Sequence, residues 1–194
     1  MISHVLNPKR FVAAAVLASC AFAVPAFAVR PDYLLWTDPD KRFSVEFPKT
    51  WRWMVVAGSG EALITFVEPR TEAAVVVEHA RMGQPLAAAD ITDVFAQAEI
   101  DWLKELQPRA SGFASKTVTL GARRLVVIDY TRPGLDKVVE TVRQYSIPDG
   151  QDLYRITCMS IASLFAKHES TFSNVAESLK SVTELAAQKP DPKK

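Results

Sequence analysis

The sequence predicts an α+β protein, an α/β/α sandwich around a central, mainly antiparallel sheet. Strict alternation of apolar and polar residues in the segment 42–47 is typical of a strand. Two apolar runs rich in β-branched residues, 73–77 and 125–128, indicate central strands that are covered on both faces. Apolar residues with helical spacing follow Ile91 and Phe165, so two amphipathic helices are available to cover the sheet.

The first two strands are predicted near the start of the domain. In the segment 42–47 the apolar side chains share one face and the polar ones the other, which predicts a half-buried strand. The Asp-Pro-Asp-Lys segment 38–41 before it places Pro39 at the second position of a type I turn. Tyr33–Thr37 is then a short partner strand.

The first helix is predicted to bury one stripe of six apolar residues. They recur every three or four positions: Ile91, Val94, Phe95, Ala98, Trp102 and Leu106. Asp90 is the expected N-cap, because its side chain can accept a backbone N–H of the first turn. Pro108 ends the helix, since proline cannot continue it.

Strands joined by short turns are predicted after this helix. Glycine-containing turns at 119–122, 132–135 and 148–151 are short enough to connect antiparallel neighbours. The last strand, 153–160, alternates so that Cys158 lies on a face that we expect to point inward.

A second amphipathic helix closes the predicted domain. Its apolar stripe consists of Phe165, Phe172, Val175 and Leu179. We expect an interruption near His168 and Glu169. The domain then spans residues 29–182, and residues 183–194, which end in prolines and lysines, are expected to form a disordered tail.

The first 28 residues have the pattern of a secretory signal peptide. Lys9 and Arg10 precede an uncharged apolar run, 11–24, and Ala26 and Ala28 form the small-residue site that signal peptidase cleaves. We therefore expect a mature protein in the periplasm or secreted from the cell.

A second interpretation of the same segment stays open. The Leu-Ala-Ser-Cys segment 17–20 resembles the lipobox of bacterial lipoproteins, in which Cys20 is lipidated and becomes the first residue. The protein would then be anchored to the envelope by lipid. Contact with a membrane is expected only in this case.

Charge and motifs argue against nucleic acid and nucleotides as ligands. The chain has 23 Lys and Arg against 22 Asp and Glu, so no overall field attracts a polyanion. The pair Arg123 and Arg124 is too small a basic cluster for nucleic acid. No glycine-rich loop of the phosphate-binding type occurs in the sequence.

The sequence contains no catalytic, cofactor-binding or metal-binding motif, and it predicts a protein that is not an enzyme. His79 is expected at a strand end and His168 at a helix surface or break, neither with a partner at metal-ligand spacing. Asp129 lies in an apolar run and therefore needs a partner. One alternative stays open: a small-ligand, metal or enzyme site assembled around His79 and Asp129.

Two further candidates have structural interpretations. Cys158 is the one cysteine that remains after cleavage at Ala28, and we expect it to be buried rather than nucleophilic, since no histidine neighbours it in sequence. The Gly-Ser-Gly segment 58–60 lacks the flanking residues of a nucleophile elbow and predicts a hairpin turn.

Three tryptophans near the start of the domain are candidates for docking. Trp36, Trp51 and Trp53 either cover the sheet or form a binding patch, because tryptophan is enriched at the energetic centres of interfaces.

A family resemblance is carried by two segments, residues 36–48 with Trp51, and residues 152–158 with Phe165 and the segment 172–179. Both segments resemble the PsbP-like family, which is named for the extrinsic protein of photosystem II and shared with the Mog family. The resemblance implies an α/β/α sandwich, a non-enzymatic role without a cofactor, and docking to a larger assembly. The resulting hypothesis is an exported, non-catalytic module that binds or helps assemble a protein or an envelope component.

Overall fold

A computed structural model describes residues 29–56, 62–134 and 137–187 of the chain. Within these residues the chain forms two antiparallel sheets, three α-helices and a short 3-10 turn. The predicted signal peptide with Ala26, Ala28 and Cys20, the predicted turn at 58–60 and residues 188–194 lie outside the described residues.

The elements follow one another along the chain with these bounds. The strands are β1 (Tyr33–Thr37), β2 (Phe43–Pro48), β3 (Arg52–Val56), β4 (Ala62–Val67), β5 (Ala74–Leu86), β6 (Ser111–Leu120), β7 (Arg123–Pro133), β8 (Val139–Ile161) and β9 (Lys180–Ser181). The helices are α1 (Asp93–Leu106), α2 (Phe165–Ser178) and α3 (Val182–Ala187), and the 3-10 turn covers Ala88–Asp90.

The large sheet has six strands in the order β3-β4-β5-β8-β7-β6, and its long strand β8 folds back on itself. Its first part pairs with β7 and its second part pairs with β5. Thr157 Oγ1 donates to Gln144 Oε1 at 3.4 Å, whereas a straight strand would separate these residues by about 43 Å. Gly150, with φ +62°, supplies the left-handed backbone for this reversal. The turn predicted at 148–151 is confirmed.

One face of the large sheet packs against the small sheet, β1-β2-β9, and against α2. From β2, Phe43, Val45 and Phe47 enter this core, and Cys158 of β8 lies fully buried within it. The predicted inward face of the last strand is therefore confirmed. The expectation of a half-buried β2 is wrong, because Glu46 is also buried.

Burial of the polar face of β2 has a direct cause in hydrogen bonds. Glu46 accepts from Arg30 Nη1 at 3.2 Å through its carboxylate and donates its backbone N–H to Ser178 Oγ at 2.8 Å. Both partners are distant in sequence, so alternation within the strand does not reveal them.

Helix α1 covers the other face of the large sheet, but it buries a different stripe from the predicted one. Its buried residues are Ala96, Glu99, Ile100 and Leu103. Val94 and Leu106 of the predicted stripe are 79% and 56% exposed. The helix is rotated because Glu99 points inward, where Arg155 of β8 donates two hydrogen bonds to its carboxylate.

Two details of the helices also differ from the sequence-based expectations. Thr92, not Asp90, is the N-cap of α1, and the Asp90 carboxylate instead accepts the Ala87 N–H at 2.8 Å. Helix α2 runs without interruption through His168 and Glu169. His168 continues the stripe of Phe165 by one turn of helix and is buried, so its predicted surface position is wrong.

The helical structure extends beyond the predicted boundary at residue 182. Helix α3 covers five of the residues that we expected in the tail. Ser181 and Glu184 form a reciprocal capping box: Glu184 accepts the Ser181 N–H at 2.9 Å, and Ser181 Oγ accepts the Glu184 N–H at 3.3 Å. The spacing Ser-x-x-Glu is the sequence signal for this helix.

In the described part of the chain, none of the helices combines the length and the apolar character that crossing a membrane requires.

Candidate docking site

Strand β3 forms one edge of the large sheet and carries three exposed apolar side chains. Among the described residues it pairs with β4 alone, so the N–H and C=O groups on its other side have no partner strand. Trp53 is 54%, Met54 58% and Val55 50% exposed. Arg52 is the charged residue of this strand, and its side chain is exposed too. Residues 52–55 are called the β3 edge below.

A groove of about 310 Å³ lies beside the β3 edge. Its lining residues come from β3, from β4 and from the turn between β4 and β5: Arg52, Trp53, Met54, Thr65, Val67, Glu68, Pro69 and Glu72. Arg52 is paired with Val67 and Met54 with Thr65, and paired residues share a face of a sheet. The groove floor is therefore a patch of the sheet face.

The groove lies on the face that α1 covers elsewhere. Val67 pairs with Ala74, and Ala74 pairs with Met159, which packs against the α1 core. The residues of that core come from α1, β7, β8 and the segments beside them, with none from β3 or β4 among the described residues. Helix α1 thus covers one half of this sheet face and leaves the other half open.

The turn that forms one wall of the groove is bonded to α2 through a buried histidine. Thr71 Oγ1 donates to Glu68 Oε2 at 2.7 Å, and His168 Nε2 lies 3.0 Å from Thr71 Oγ1. Since the Thr71 hydroxyl has a single proton, His168 is the donor of the second bond. The bonds from Thr71 hold the pKa of Glu68 below its usual range.

His168 occupies an aromatic environment in the core. Its ring meets Trp51 edge-on at 6.3 Å and lies 6.0 Å from the ring of Phe172. Burial lowers the pKa of His168, with Glu68 opposing part of that effect. The imidazole is therefore a neutral structural group that fixes the groove wall to α2.

The structure places the three candidate tryptophans in different surroundings. Trp51 is 7% exposed and belongs to the core. Trp36 is half-buried, with its ring 5.4 Å from that of Phe43. Trp53 is the candidate on the surface, and Met54 and Val55 beside it were not singled out from the sequence. The apolar run after Arg52 is the sequence feature that could have indicated Met54 and Val55. Only the strand order of the sheet shows that they lie on an edge strand.

The structure does not bring His79 and Asp129 together. His79 Nε2 lies 2.7 Å from Asp152 Oδ1 on β8, and Asp129 accepts from Arg143 Nε at 2.6 Å. Both parts of β8 separate β5 from β7, which puts the strands of His79 and Asp129 about 14 Å apart. Each residue has its own partner, and together they form no common site.

Asp129 belongs to a connection between the sheet and α2. Arg143 bonds Asp129 through two nitrogens and Glu169 of α2 at 2.6 Å, and its guanidinium lies 5.6 Å from the centre of the Phe165 ring. The bonds to Asp129 are the main cause that raises the pKa of Arg143. Arg143 is therefore the partner that Asp129, a carboxylate in an apolar run of the sequence, requires.

Two other groups are inert in the positions they occupy. The Cys158 side chain is fully buried, and burial raises the pKa of its thiol well above the usual range. Burial also raises the pKa of Tyr154 to about 12. Among the described residues, no three His, Cys, Asp or Glu side chains lie close enough together to hold a metal ion.

Solved structures with similar folds are found at low sequence identity, whereas no protein-family model and no curated protein matches the sequence. The solution structure of cyanobacterial PsbP (CyanoP) from Synechocystis sp. PCC 6803 superimposes with a TM-score of 0.59 at 14% identity, covering 85% of this chain and 98% of that chain. The chain has a PsbP-like fold. The fold implied by the sequence resemblance is confirmed.

Two further structures share the PsbP-like fold. LpqN of Mycobacterium tuberculosis, described as involved in cell envelope biogenesis, gives a TM-score of 0.50 at 14% identity over 76% of this chain and 89% of that chain. A protein from Bacteroides thetaiotaomicron VPI-5482 gives 0.53 at 15% identity over 77% of this chain and 48% of that chain.

Proposed function

We propose that this protein is an exported, non-catalytic accessory module that binds a protein of the cell envelope through the β3 edge. The observation that carries the proposal is the exposure of three consecutive large apolar side chains, Trp53 to Val55, on an open strand edge. Soluble proteins usually protect such edges, and a contiguous apolar patch on a monomer marks an interaction surface.

Two independent features support this assignment. The sequence starts with a signal-peptide pattern ending at Ala28, with lipidation of Cys20 as the alternative, and either route takes the protein out of the cytoplasm. LpqN, which has the same fold, is described as involved in cell envelope biogenesis. A role in the envelope is consistent with both.

The experiment compares capture of envelope proteins by the purified mature domain and by two variants. Trp53→Ser removes the exposed aromatic ring, and we expect it to lower the amount of captured partner about tenfold or more, as for a central interface residue. Val94→Ser is the matched control, because Val94 is 79% exposed on α1, away from the β3 edge. We expect its capture to equal that of the unmodified protein.

Both variants should keep the urea unfolding midpoint of the unmodified protein, since exposed side chains contribute little to folding. Equal capture by Trp53→Ser and Val94→Ser would show that the β3 edge is not the docking site. The non-catalytic part of the proposal is tested with His79→Ala, which we expect to capture the same partner in the same amount. If His79→Ala folds but no longer captures the partner, the result would instead support the ligand or enzyme alternative.

A further inference from the structure

We propose that β3 binds an extended segment of the partner as an added strand, and that this segment carries an acidic residue opposite Arg52 and an apolar residue opposite Met54. This inference rests on the proposed function and specifies the partner at the same site. It concerns the backbone edge of β3, the groove floor and the charge of Arg52.

The backbone of β3 can accept a further strand. It uses one side for β4, in a continuous register from Arg52↔Val67 to Val56↔Leu63. The N–H and C=O groups of the other side have no partner among residues 29–56, 62–134 and 137–187. Main-chain hydrogen bonds to such an edge provide affinity for any extended peptide, and its side chains provide specificity.

Alternation along β3 determines which side chains of an added strand enter the groove. Arg52 and Met54 share one face of the strand, and Trp53 and Val55 share the other. An added strand would place directly opposite residues about 5 Å apart between their Cβ atoms. The residue opposite Met54 would extend the part of the groove floor formed by Met54 and Val67, where the flexible thioether adapts to different shapes.

Arg52 supplies the electrostatic part of the specificity. Its inner neighbour is Val67, which cannot pair with a charge. No carboxylate of the described residues forms an ion pair with its guanidinium. The groove lining has two acids, Glu68 and Glu72. Glu68 already accepts bonds from Thr71 and from the Arg70 N–H, and Glu72 forms no ion pair with Arg52. The outer position opposite Arg52 is therefore the one that an acidic residue fits.

A second copy of this chain satisfies these conditions less well. Two β3 strands paired antiparallel about Met54 would place Val56 opposite Arg52 and leave both guanidinium groups without a partner. A parallel arrangement with equal register would place Arg52 beside Arg52, which is destabilising. Charge complementarity thus favours a partner segment with an acid over self-association.

Two fluorescently labelled nonapeptides with blocked ends test the proposal. Both alternate valine and threonine, and at one position the acidic probe has glutamate where the basic probe has lysine. Binding to the mature domain is measured by fluorescence anisotropy at low salt. We expect the acidic probe to bind about fivefold more tightly than the basic probe, the size of a favourable cross-strand charge pair.

Variants separate this mechanism from unspecific adsorption. Arg52→Glu should reverse the preference, so that the basic probe binds more tightly, whereas Arg124→Glu, a charge reversal at an exposed position on β7, should leave the preference unchanged. An acidic probe with every amide N-methylated cannot donate to β3 from either of its edges, and we expect it to lose binding at least tenfold. Equal binding of both probes, or full binding of the methylated probe, would overturn strand addition.

Two outcomes distinguish this inference from the proposed function itself. Partner capture that depends on Trp53 but is not competed by the acidic probe, and is unchanged in Arg52→Glu, would overturn strand addition and leave the docking function standing. Probe binding with the expected preference, together with capture independent of Trp53, would refute the docking function but not the peptide site. A concentration-dependent dimer that Met54→Glu abolishes would identify a second copy as the occupant.

Discussion

Glu99 of α1 and Arg155 of β8 form a two-point ion pair in which the Glu99 side chain is buried and the Arg155 side chain is 14% exposed. Arg155 Nε and Nη2 each lie 2.8 Å from one oxygen of the carboxylate, and the ring centre of Trp102 lies 3.8 Å from the guanidinium carbon. Ser146 and Gln144 donate further bonds to Glu99 at 2.7 and 3.3 Å. These contacts fix α1 over one half of the sheet face and so leave the groove beside β3 open.

Removal of the Glu99 carboxylate should strongly destabilise the fold. Glu99→Ala leaves the Arg155 guanidinium, whose side chain is 14% exposed, without its carboxylate partner. Breaking a fully buried pair costs about 3–5 kcal/mol, and we expect a loss of up to about 3 kcal/mol for this half-buried cation. The free energy of unfolding is measured by urea denaturation. The control is Glu105→Ala on the exposed face of α1, which should change it by less than about 0.5 kcal/mol. Equal effects of the two variants would mean that the ion pair contributes nothing to the position of α1.

Acid should destabilise the protein through His168. Because burial lowers the pKa of His168 in the folded state, the unfolded chain takes up the proton first as the pH falls. The stability contribution of the neutral imidazole is therefore complete above its ordinary pKa of about 6.5 and is lost as the pH falls from there towards the lower folded pKa. His168→Gln, which keeps a donor for Thr71, should lose less stability between about pH 7.5 and about pH 5.5 than the unmodified protein.

A matched variant tests whether burial or the hydrogen bond causes this acid sensitivity. Thr71→Val removes the partner oxygen but leaves the imidazole buried, so the loss of stability on acidification should persist. Thermal unfolding midpoints at both pH values are compared for the three proteins. Identical midpoint shifts for His168→Gln and the unmodified protein would assign the effect to other groups.

Cys158 should be inert and contribute modestly to the core. Cys158→Ala removes a small, fully buried side chain, and we expect the free energy of unfolding to fall by about 1–2 kcal/mol. Thiol reagents should label the native protein slowly and the urea-unfolded protein rapidly, because burial raises the pKa of the thiol. Fast labelling under native conditions would contradict the inward orientation of this strand face.

The capping box should hold the start of α3. Ser181→Ala removes the acceptor for the Glu184 N–H, and loss of an N-cap typically costs about 0.5–2 kcal/mol. Hydrogen exchange of the amides in Val182–Ala187 should become faster. Thr183→Ala, a substitution at an exposed position of the same helix, is the control and should leave the exchange unchanged.

Much of the fold was predictable from local patterns. Strands β2, β5 and β7 and helices α1 and α2 lie where alternation, apolar runs and helical spacing indicate them, and Cys158 lies on the predicted face. These predictions succeed because a strand or helix in this chain needs one apolar face, whatever it packs against. The site was less predictable: of Trp36, Trp51 and Trp53, the sequence alone did not show which one is exposed.

The sequence by itself determined the fold class, the order of most elements and the resemblance to the PsbP-like family, because periodicity and turn chemistry act between neighbours along the chain. Only the tertiary structure decided which face of α1 is buried, that His168 is a core residue, and that β3 is an open edge. Each of these depends on a partner distant in sequence. Arg155 draws Glu99 inward, Thr71 satisfies His168, and β3 is an edge because the sheet is ordered so that only β4 pairs with it among the described residues.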